Sequence, residues 1–238
     1  MQAQRIIVVG GSSGIGRGIV IAAHKQSAEV LLVGRSRDKL EALVASLPDS
    51  APVQAIVADV TNEADVVRLF AETSPFDHLV STVADLSYQL IREFDLAAAR
   101  RSVDSKLMSS LLLAKHGCAH ARRGGSFTFT SGIAAYRPMP RGAIVAAING
   151  ALASLAYALA LELAPLRVNV VSPGWVDTPI WDSVAGGNKY AMQAQMANRL
   201  PVGRIGQPDD IAQAVLSIMA NGYMTGTVVH VDGGQRLV

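Results

Sequence analysis

The stretch RIIVVGGSSGIGRG, residues 5–18, decides the fold. Its first five residues form an apolar, β-branched run that predicts a buried strand, and glycines and a helix pattern follow at once. Glycines let a backbone turn tightly and approach a pyrophosphate, whose charge is stabilised by the free N–H groups and dipole of the following helix N-terminus. A strand-to-helix turn without a ligand uses the same residues. Other motifs of the chain are needed to distinguish a phosphate-binding loop from such a turn.

Six further strand patterns follow, with helical segments between them: EVLLVG, VQAIVA, FDHLVST, GSFTFTS, RVNVVS and TVVHVD. Seven strands alternating with helices predict an α/β fold, a Rossmann-type doubly wound parallel sheet with helices on both faces. Right-handed crossovers bring the carboxyl ends of such strands to one edge, where ligands bind. With 238 residues, half of them apolar, we expect a single domain spanning residues 1–238.

The composition narrows the function classes. Charged residues make up 17% of the chain and the formal net charge is +2, so no basic footprint points to nucleic acid or to a membrane surface. The single cysteine, Cys118, excludes an intramolecular disulfide and fits a reducing, cytoplasmic location. The first residues carry no signal-peptide pattern. The apolar helix around residues 152–163 is shorter than the roughly 20 residues that a bilayer needs, so we expect it in the core.

Four more motifs accompany the glycine loop in order: ADV at 58–60, SPGWVDTP at 172–179, GRIGQPDDIA at 203–212 and TGTVVHVDGG at 225–234. Together the five motifs resemble the short-chain dehydrogenase/reductase family, from the first strand to the last few residues. The resemblance implies NAD(P) binding, hydride transfer between the cofactor and a small carbonyl or alcohol substrate, and commonly a homotetramer.

The resemblance also assigns the residues that hold the cofactor. Asp59 and Val60 look like the pair that contacts adenine, and Thr178 looks like the residue that holds the nicotinamide carboxamide. Asp59 would otherwise cap the helix that begins near residue 62, and Thr178 would otherwise be a turn residue. The remaining assigned positions are Gly10, Ser12, Ser13, Gly14, Ile15 and Gly16 in the phosphate loop, Asn149 at the ribose, and Pro173, Gly174 and Val176 beside Thr178.

The end of the second strand indicates which dinucleotide binds. Gly34 stands where an NAD-preferring enzyme places an acidic residue for the ribose 2′-hydroxyl. Arg35 can form a bidentate, charge-assisted clamp on the extra phosphate of NADP, with Arg17 nearby and Ser36 as a neutral donor. We therefore predict NADP(H), the alternative being that Arg35 and Arg37 are solvated loop charges.

The catalytic positions depart from the pattern that the resemblance implies. Relatives use a Ser to polarise the carbonyl, a Tyr to donate the proton and a Lys to lower the pKa of that Tyr and bind the ribose. The serine is Ser131, unless it merely turns the chain after the strand. The Tyr and Lys positions, however, hold Val145 and Asn149, and no other tyrosine in the chain is followed four residues later by a lysine. Valine donates no proton, and asparagine carries no charge.

A second exchange offers compensation. The helix asparagine of the family pattern is Lys106 here, and its motif NNAG is STVA at 81–84. We hypothesise that Lys106 points at the nicotinamide pocket and acts as the acid, because desolvation and a nearby oxidised nicotinamide would both lower its pKa. The alternative is a helix-surface lysine that faces solvent. Other candidate proton donors are Tyr88, Tyr136 and Tyr190, and the pair His116 and His120 has metal-ligand spacing but no further ligands, so we expect no metal.

Two functions remain open. The first is an NADP(H)-dependent oxidoreductase with a non-standard proton relay, and the second is a catalytically inactive NADP(H)-binding protein that senses the nucleotide or binds a partner. Non-redox chemistry on the same scaffold is a third, minor alternative. The pocket walls should come from the loop after Asp85 and from residues 180–200, which are rich in Ala, Met and Trp and indicate an apolar ligand.

Overall fold

The computed structural model of the chain describes residues 1–49, 51–73 and 75–238, and the side chains of residues 183–186 lie outside that description. Every strand pattern forms a strand of one parallel sheet in the order β3-β2-β1-β4-β5-β6-β7, which confirms the predicted fold class. The strands are β1 Arg5–Val9, β2 Glu29–Gly34, β3 Val53–Val57, β4 Phe76–Ser81, β5 Ala121–Thr130, β6 Arg167–Pro173 and β7 Val228–Val231.

Helices cover both faces of the sheet because alternate residues of each strand point to opposite sides. Ile6 and Val8 of β1 belong to one buried cluster, and Ile7 and Val9 belong to the other. The first cluster includes residues of α1, α2 and α9, and the second includes residues of α3, α5 and α6. The helices are α1 Gly14–Lys25, α2 Arg37–Ala45, α3 Glu63–Glu72, α4 Leu96–Val103, α5 Ser109–Gly117, α6 Ala143–Glu162, α7 Ile180–Ala185, α8 Lys189–Arg199 and α9 Pro208–Ala220.

The helical run 96–117 contains one irregular turn. α4 and α5 are joined by the π-helical turn Asp104–Met108, which carries Lys106. The run begins at Asp95, whose side chain accepts a hydrogen bond from the Ala97 N–H at 2.9 Å and so satisfies one of the free donors of the first turn. π-helical turns occur preferentially at functional sites, so Lys106, at the centre of this turn, is a candidate functional residue.

α6 carries both Val145 and Asn149. It runs for 20 residues, and within the described part of the chain it is the one helix that could cross a membrane by length and composition. Its Leu152, Ala156 and Leu159 are buried in the core beside β6, and Asn149 is buried one turn earlier. These contacts make α6 a core helix, as expected.

Candidate functional site

The glycine loop lies at the carboxyl end of β1, and its backbone requires glycine. Gly10 and Gly14 have φ angles of +79° and +50°. A Cβ atom on Gly16 would lie 2.3 Å from the Gly10 carbonyl oxygen, which is far inside van der Waals contact. The hydroxyl of Thr82, a residue the sequence analysis did not single out, donates to the Val9 and Gly10 carbonyl oxygens at 3.2 Å. The loop is therefore closely packed and fixed from the neighbouring strand.

The N-terminus of α1 is open to an anion. Ser13 is the N-cap residue and makes no side-chain capping bond, and the first turn of the helix contains no acidic residue. The free N–H groups and the helix dipole favour a negative charge there. The main cavity is lined by five residues of the loop and of the first turn of α1: Gly10, Ser13, Gly14, Ile15 and Gly16. Ser12 is not among the described lining residues, and its hydroxyl lies 4.0 Å from the point that a Cβ atom on Gly34 would occupy.

Two cationic side chains, one in the first turns of α1 and one just after β2, are presented to solvent. Arg17 and Arg35 are exposed and pair with no carboxylate in the described part of the chain. Ser36 is the N-cap residue of α2 and makes no side-chain capping bond. Arg37, in contrast, lies 3.4 Å from Glu41, so this arginine has an intramolecular partner. Arg17, Arg35 and Ser36 can therefore hold an additional phosphate.

Asp59 does not cap the helix that follows it. Its Oδ1 accepts hydrogen bonds from the N–H and hydroxyl of Thr61, at 3.0 and 2.8 Å, and the N-cap residue of α3 is Asn62. Val60 is buried in the core. Neither Asp59 nor Val60 lines the main cavity within the described residues.

Three predicted site residues meet at the centre of the cavity, although each comes from a different element. The Lys106 Nζ on the π turn donates to the Asn149 Oδ1 on α6 at 2.7 Å and to the Ser131 carbonyl oxygen at 3.0 Å. The Ser131 hydroxyl, just after β5, donates to the Asn149 carbonyl oxygen at 2.8 Å. All three residues line the cavity. The arrangement is one connected hydrogen-bonded cluster of an amine, a hydroxyl and an amide.

Lys106 is not a surface lysine. It is only 6% exposed, so the solvent-facing alternative is wrong. Burial lowers the pKa of Lys106 from its ordinary value of 10.5 to about 7, because its hydrogen-bond partners are neutral and do not offset the loss of hydration. An amine with a pKa near neutrality can exchange a proton under ordinary conditions.

The helix position expected for a catalytic tyrosine is filled by an apolar side chain. Val145 is 1% exposed and lines the cavity beside Asn149. Of the three tyrosines considered as proton donors, Tyr88 lines the cavity, and burial raises the pKa of its hydroxyl. Tyr136 instead packs edge-on against His230 with ring centroids 4.6 Å apart, and Tyr190 is 79% exposed. Neither of these two lines the cavity among the described residues.

The cavity has a volume of about 830 Å³, which lies within the usual range of small-molecule and cofactor sites. The segment 180–200 contributes Met192, Met196 and Trp181, in agreement with the expected apolar wall. The sequence analysis missed two further contributors, Met139 and the exposed Arg137. Pattern analysis had no signal for them, because both lie in an irregular segment after the strand that carries the serine.

The segment from Pro173 to Thr178 lines the cavity next to the glycine loop. Pro173, Gly174, Val176 and Thr178 all line it, and the Thr178 side chain lies 3.3 Å from the point that a Cβ atom on Gly14 would occupy. The Trp181 indole N–H donates to the Val176 carbonyl oxygen at 2.8 Å, and the rings of Trp175 and Trp181 stack with centroids 4.0 Å apart. This segment therefore packs directly against the glycine loop.

The histidine pair has other partners. His116 Nε2 lies 2.8 Å from Glu63 Oε1, and His120 stacks against Phe70 with ring centroids 5.7 Å apart. The described residues contain no group of three side chains that could hold a metal ion.

The chain is similar to known proteins along its whole length. A family model described as Enoyl-(Acyl carrier protein) reductase matches residues 9–236. Short-chain dehydrogenase/reductase ucsE of Acremonium sp is 31% identical, and the match covers 100% of this chain and 97% of that protein. A crystal structure of a small-chain dehydrogenase in complex with NADPH is 31% identical, with a TM-score of 0.84 and 100% of both chains covered. The MalC Reductase/Diels-Alderase from Malbranchea aurantiaca is 28% identical, with a TM-score of 0.91 and coverage of 100% of this chain and 98% of that one.

Proposed function

The chain belongs to the short-chain dehydrogenase/reductase family of oxidoreductases, and from this premise we propose that it uses NADP(H) to interconvert a small carbonyl compound and its alcohol, with Ser131 and Lys106 forming a non-standard proton relay. The observation that carries the proposal is the buried Lys106 amine, which is hydrogen-bonded beside Ser131 in the same cavity that the glycine loop lines.

The residues present fit a bound NADP(H). The open N-terminus of α1 suits the pyrophosphate, and the exposed Arg17 and Arg35 with the uncapped Ser36 suit the 2′-phosphate. On the family pattern, Asp59 and Val60 contact adenine, Asn149 contacts the ribose, and the segment from Pro173 to Thr178 holds the carboxamide. A structural neighbour that is itself in complex with NADPH supports the same cofactor.

In the proposed relay, Ser131 and Lys106 share the role that a tyrosine has in the family pattern. When bound, NADPH supplies the hydride. The Ser131 hydroxyl can turn from the Asn149 carbonyl oxygen to a substrate carbonyl oxygen and polarise it, and Lys106 in its ammonium form supplies the proton that the resulting alkoxide needs. Lys106 thereby returns an ammonium group to a site where the family lysine position is occupied by Asn149. An apolar cavity wall of Met and Trp side chains favours an apolar substrate.

A second function is favoured by one specific observation. Val145 is buried where the family places its proton donor, so the helix contributes no acid at all. A protein with this arrangement could bind NADP(H) and report the nucleotide to a partner without turning over a substrate. The two functions share the cofactor and differ in catalysis.

We also propose that the chain assembles into a homo-oligomer, either a dimer or a tetramer. α4 packs beside α6, and this side of the molecule exposes apolar residues. Leu96 is 53% exposed, Met108 is 42% exposed and Tyr157 is 49% exposed. Exposed apolar groups of this kind are typical of surfaces that are covered by another subunit. Light scattering during gel filtration should give a mass that is a small multiple of 25.0 kDa.

Binding can be measured before turnover. The chain has two tryptophans, Trp175 and Trp181, and both line the cavity, so NADPH should quench the protein's intrinsic fluorescence. NADH serves as the matched comparison, and equal affinity for the two would contradict the predicted preference.

The decisive experiment is NADPH consumption at high enzyme concentration against aldehydes, ketones, diketones, quinones and enoyl thioesters. Turnover that is lost in Ser131→Ala, with NADPH affinity retained, would support the oxidoreductase. Tight binding of NADPH with no turnover on any of these classes would favour the nucleotide-binding alternative.

A further inference from the structure

We propose that Lys106 also acts as a nucleophile, and that its side-chain amine condenses with an aldehyde or ketone group of a ligand in the cavity to form a protonated imine. The inference rests on the proposed function in one respect only, which is that the cavity accepts a carbonyl compound. Three features of the Lys106 environment carry it: the number of hydrogen-bond acceptors, the charges around the cavity, and the contrast with the other lysines.

The first feature is the count of acceptors around the nitrogen. A neutral amine has two N–H bonds and one lone pair, whereas an ammonium group has three N–H bonds. Lys106 Nζ meets two acceptors in the described part of the chain, the Ser131 carbonyl oxygen at 3.0 Å and the Asn149 Oδ1 at 2.7 Å. These two acceptors satisfy a neutral amine and leave its lone pair unengaged.

The second feature is the charge distribution around the cavity. Asp85 is the one carboxylate side chain among the described residues that line it, and Asp85 is exposed and makes no ion pair with Lys106. The other charged side chains of the lining are Arg137 and Arg199, and Tyr88 is neutral because burial raises the pKa of its hydroxyl. No described side chain therefore compensates a positive charge on Lys106, and burial lowers its pKa to about 7. A large fraction of the amine is neutral at neutral pH.

The condensation is balanced without any oxidant or reductant. The lone pair of Nζ attacks the carbonyl carbon, a C–N bond forms as the π bond of the carbonyl group breaks, and one proton moves from the nitrogen to the oxygen to give a neutral carbinolamine. A second proton on that oxygen lets the C–O bond break and water depart, and the nitrogen is left as a protonated imine that retains one N–H. The Tyr88 hydroxyl lies in the same cavity and remains protonated at neutral pH, so it is a suitable proton donor for the departing water.

The site can hold the product through one of the existing contacts of the amine. The one N–H of the protonated imine can donate to the Asn149 Oδ1, which is the shorter of the two contacts of the amine. The ligand carbon becomes more electrophilic than the carbonyl carbon was, and this activation needs no hydroxyl donor at the position that Val145 occupies. Covalent binding thus replaces a function that the altered helix lost.

The third feature is that two other described lysines, Lys115 and Lys189, have carboxylate partners, which Lys106 lacks. Lys115 pairs with Glu63 at 2.7 Å. Lys189 pairs with Asp182 at 3.0 Å, and hydrogen bonds to this aspartate raise the pKa of Lys189. Each amine is ion-paired to a carboxylate, and the two serve as internal controls for any reagent that reacts with amines.

The test is reductive trapping in the absence of nucleotide. The full-length protein is incubated at pH 7 with hexanal or cinnamaldehyde and sodium cyanoborohydride, and the adducts are located by peptide mass mapping. The expected mass increase is that of the aldehyde less one oxygen atom. Lys106 should be labelled about tenfold or more faster than Lys115 and Lys189, because a pKa near 7 leaves far more neutral amine than the ordinary value near 10.4.

Two variants sharpen the result. Lys106→Arg keeps a cation and hydrogen-bond donors but cannot form an imine, so the dominant adduct should disappear, whereas Lys115→Arg should leave it in place. Equal labelling of all lysines in the wild-type protein would overturn the proposal, and this comparison needs no variant to fold. The labelling rate of Lys106 should also level off above about pH 8, because an amine with a pKa of about 7 is already mostly neutral there.

The outcome separates this inference from the proposed function. Carbonyl reduction with NADPH but no preferential trapping at Lys106 would refute the nucleophile and leave the oxidoreductase intact. Trapping at Lys106 without any NADPH-dependent turnover would establish the nucleophile and refute the oxidoreductase.

Discussion

The glycine loop and the Lys106 cluster are two parts of one cavity, and they differ in what determines their structure. In the loop, backbone geometry decides: Gly10 and Gly14 adopt positive φ angles, and Gly16 has no room for a side chain. In the cluster, three side chains from separate elements decide, and two helix positions that the family uses for chemistry are occupied by Val145 and Asn149. The first part agrees with the pattern that the resemblance implies, and the second part departs from it on the predicted assignment of positions; we call the second part the rebuilt half.

This difference indicates which residues of such a site can be exchanged. A loop fixed by backbone contacts tolerates few residue types, because a single methyl group on Gly16 would collide with a carbonyl oxygen. A cluster of side chains can exchange its members as long as the hydrogen bonds are satisfied again. The buried amine of Lys106 on the π turn reaches Asn149 across the cavity, so an amine remains at the site although it comes from a different helix. The predictions below test each half of this comparison.

The largest effect is expected in the loop. Gly16→Ala places a Cβ atom 2.3 Å from the Gly10 carbonyl oxygen, and the backbone has to shift because neither atom belongs to a flexible side chain. NADPH binding, measured by tryptophan fluorescence, should fall below detection, and overpacking of this kind should destabilise the fold by about 1–3 kcal/mol. Gly222→Ala is the matched control, since no described atom lies within 4 Å of the point that its Cβ would occupy. NADPH affinity that survives in Gly16→Ala would contradict the view that backbone geometry fixes this half.

The next largest effect is expected at the centre of the rebuilt half. Lys106→Met removes the amine and leaves the Asn149 Oδ1 without its donor. Turnover in the reduction direction should fall by about 10²- to 10⁴-fold, which is the usual contribution of a positioned acid or base. NADPH affinity should change far less, and the two quantities are measured separately by initial rates and by fluorescence titration. Unchanged turnover would transfer the proton-donor role to Tyr88, the tyrosine that lines the cavity.

The sequence predicted the fold and the cofactor half more completely than the catalytic half, and the reason is physical. Strand patterns and glycine spacing are local, so all seven strands and the loop could be placed from neighbouring residues alone. The meeting of Lys106, Ser131 and Asn149 depends on contacts 18 to 43 residues apart, and only the family pattern indicated it. The roles of Thr82 and Met139 could not be predicted from sequence patterns. A threonine that hydrogen-bonds to a loop and a methionine that lines a cavity have no sequence signature that distinguishes them from other surface or core residues.

A smaller loss is expected for the hydroxyl of the cluster. Ser131→Ala removes a hydrogen-bond donor that is 2.8 Å from the Asn149 carbonyl oxygen and lines the cavity. Loss of one donor to a developing oxyanion costs about 10²- to 10³-fold in kcat, so turnover should fall within that range while NADPH affinity is retained. Initial rates at saturating NADPH measure the effect. Rates equal to those of the wild-type protein would remove Ser131 from the relay and leave it as a residue that orders the start of α6.

The phosphate end of the cofactor half should respond less strongly. Arg35 is exposed and has no partner in the described residues, so Arg35→Ala should not disturb the fold. A hydrogen bond to a charged group contributes about 1.5–3 kcal/mol, so the preference for NADPH over NADH should fall by about 10- to 100-fold. Arg37→Ala is the matched control, because Arg37 already pairs with Glu41 at 3.4 Å. Titrations of both nucleotides against both variants measure the preference. A larger effect in Arg37→Ala than in Arg35→Ala would show that Arg37, and not Arg35, contacts the phosphate.

The smallest effect is a pH dependence that belongs to the rebuilt half. Burial lowers the pKa of Lys106 to about 7, and the group must be protonated to act as an acid. Its protonated fraction falls about tenfold for each pH unit above that value, so kcat for reduction should decrease with the same slope between pH 8 and 9. Oxidation of the alcohol needs the neutral amine as a base, and its rate should therefore rise through pH 7 and level off. Lys106→Met should flatten both profiles. A profile whose midpoint lies above 10 instead would indicate Tyr88 as the acid, because burial raises the pKa of its hydroxyl, and the comparison would then rest on this tyrosine rather than on the Lys106 amine.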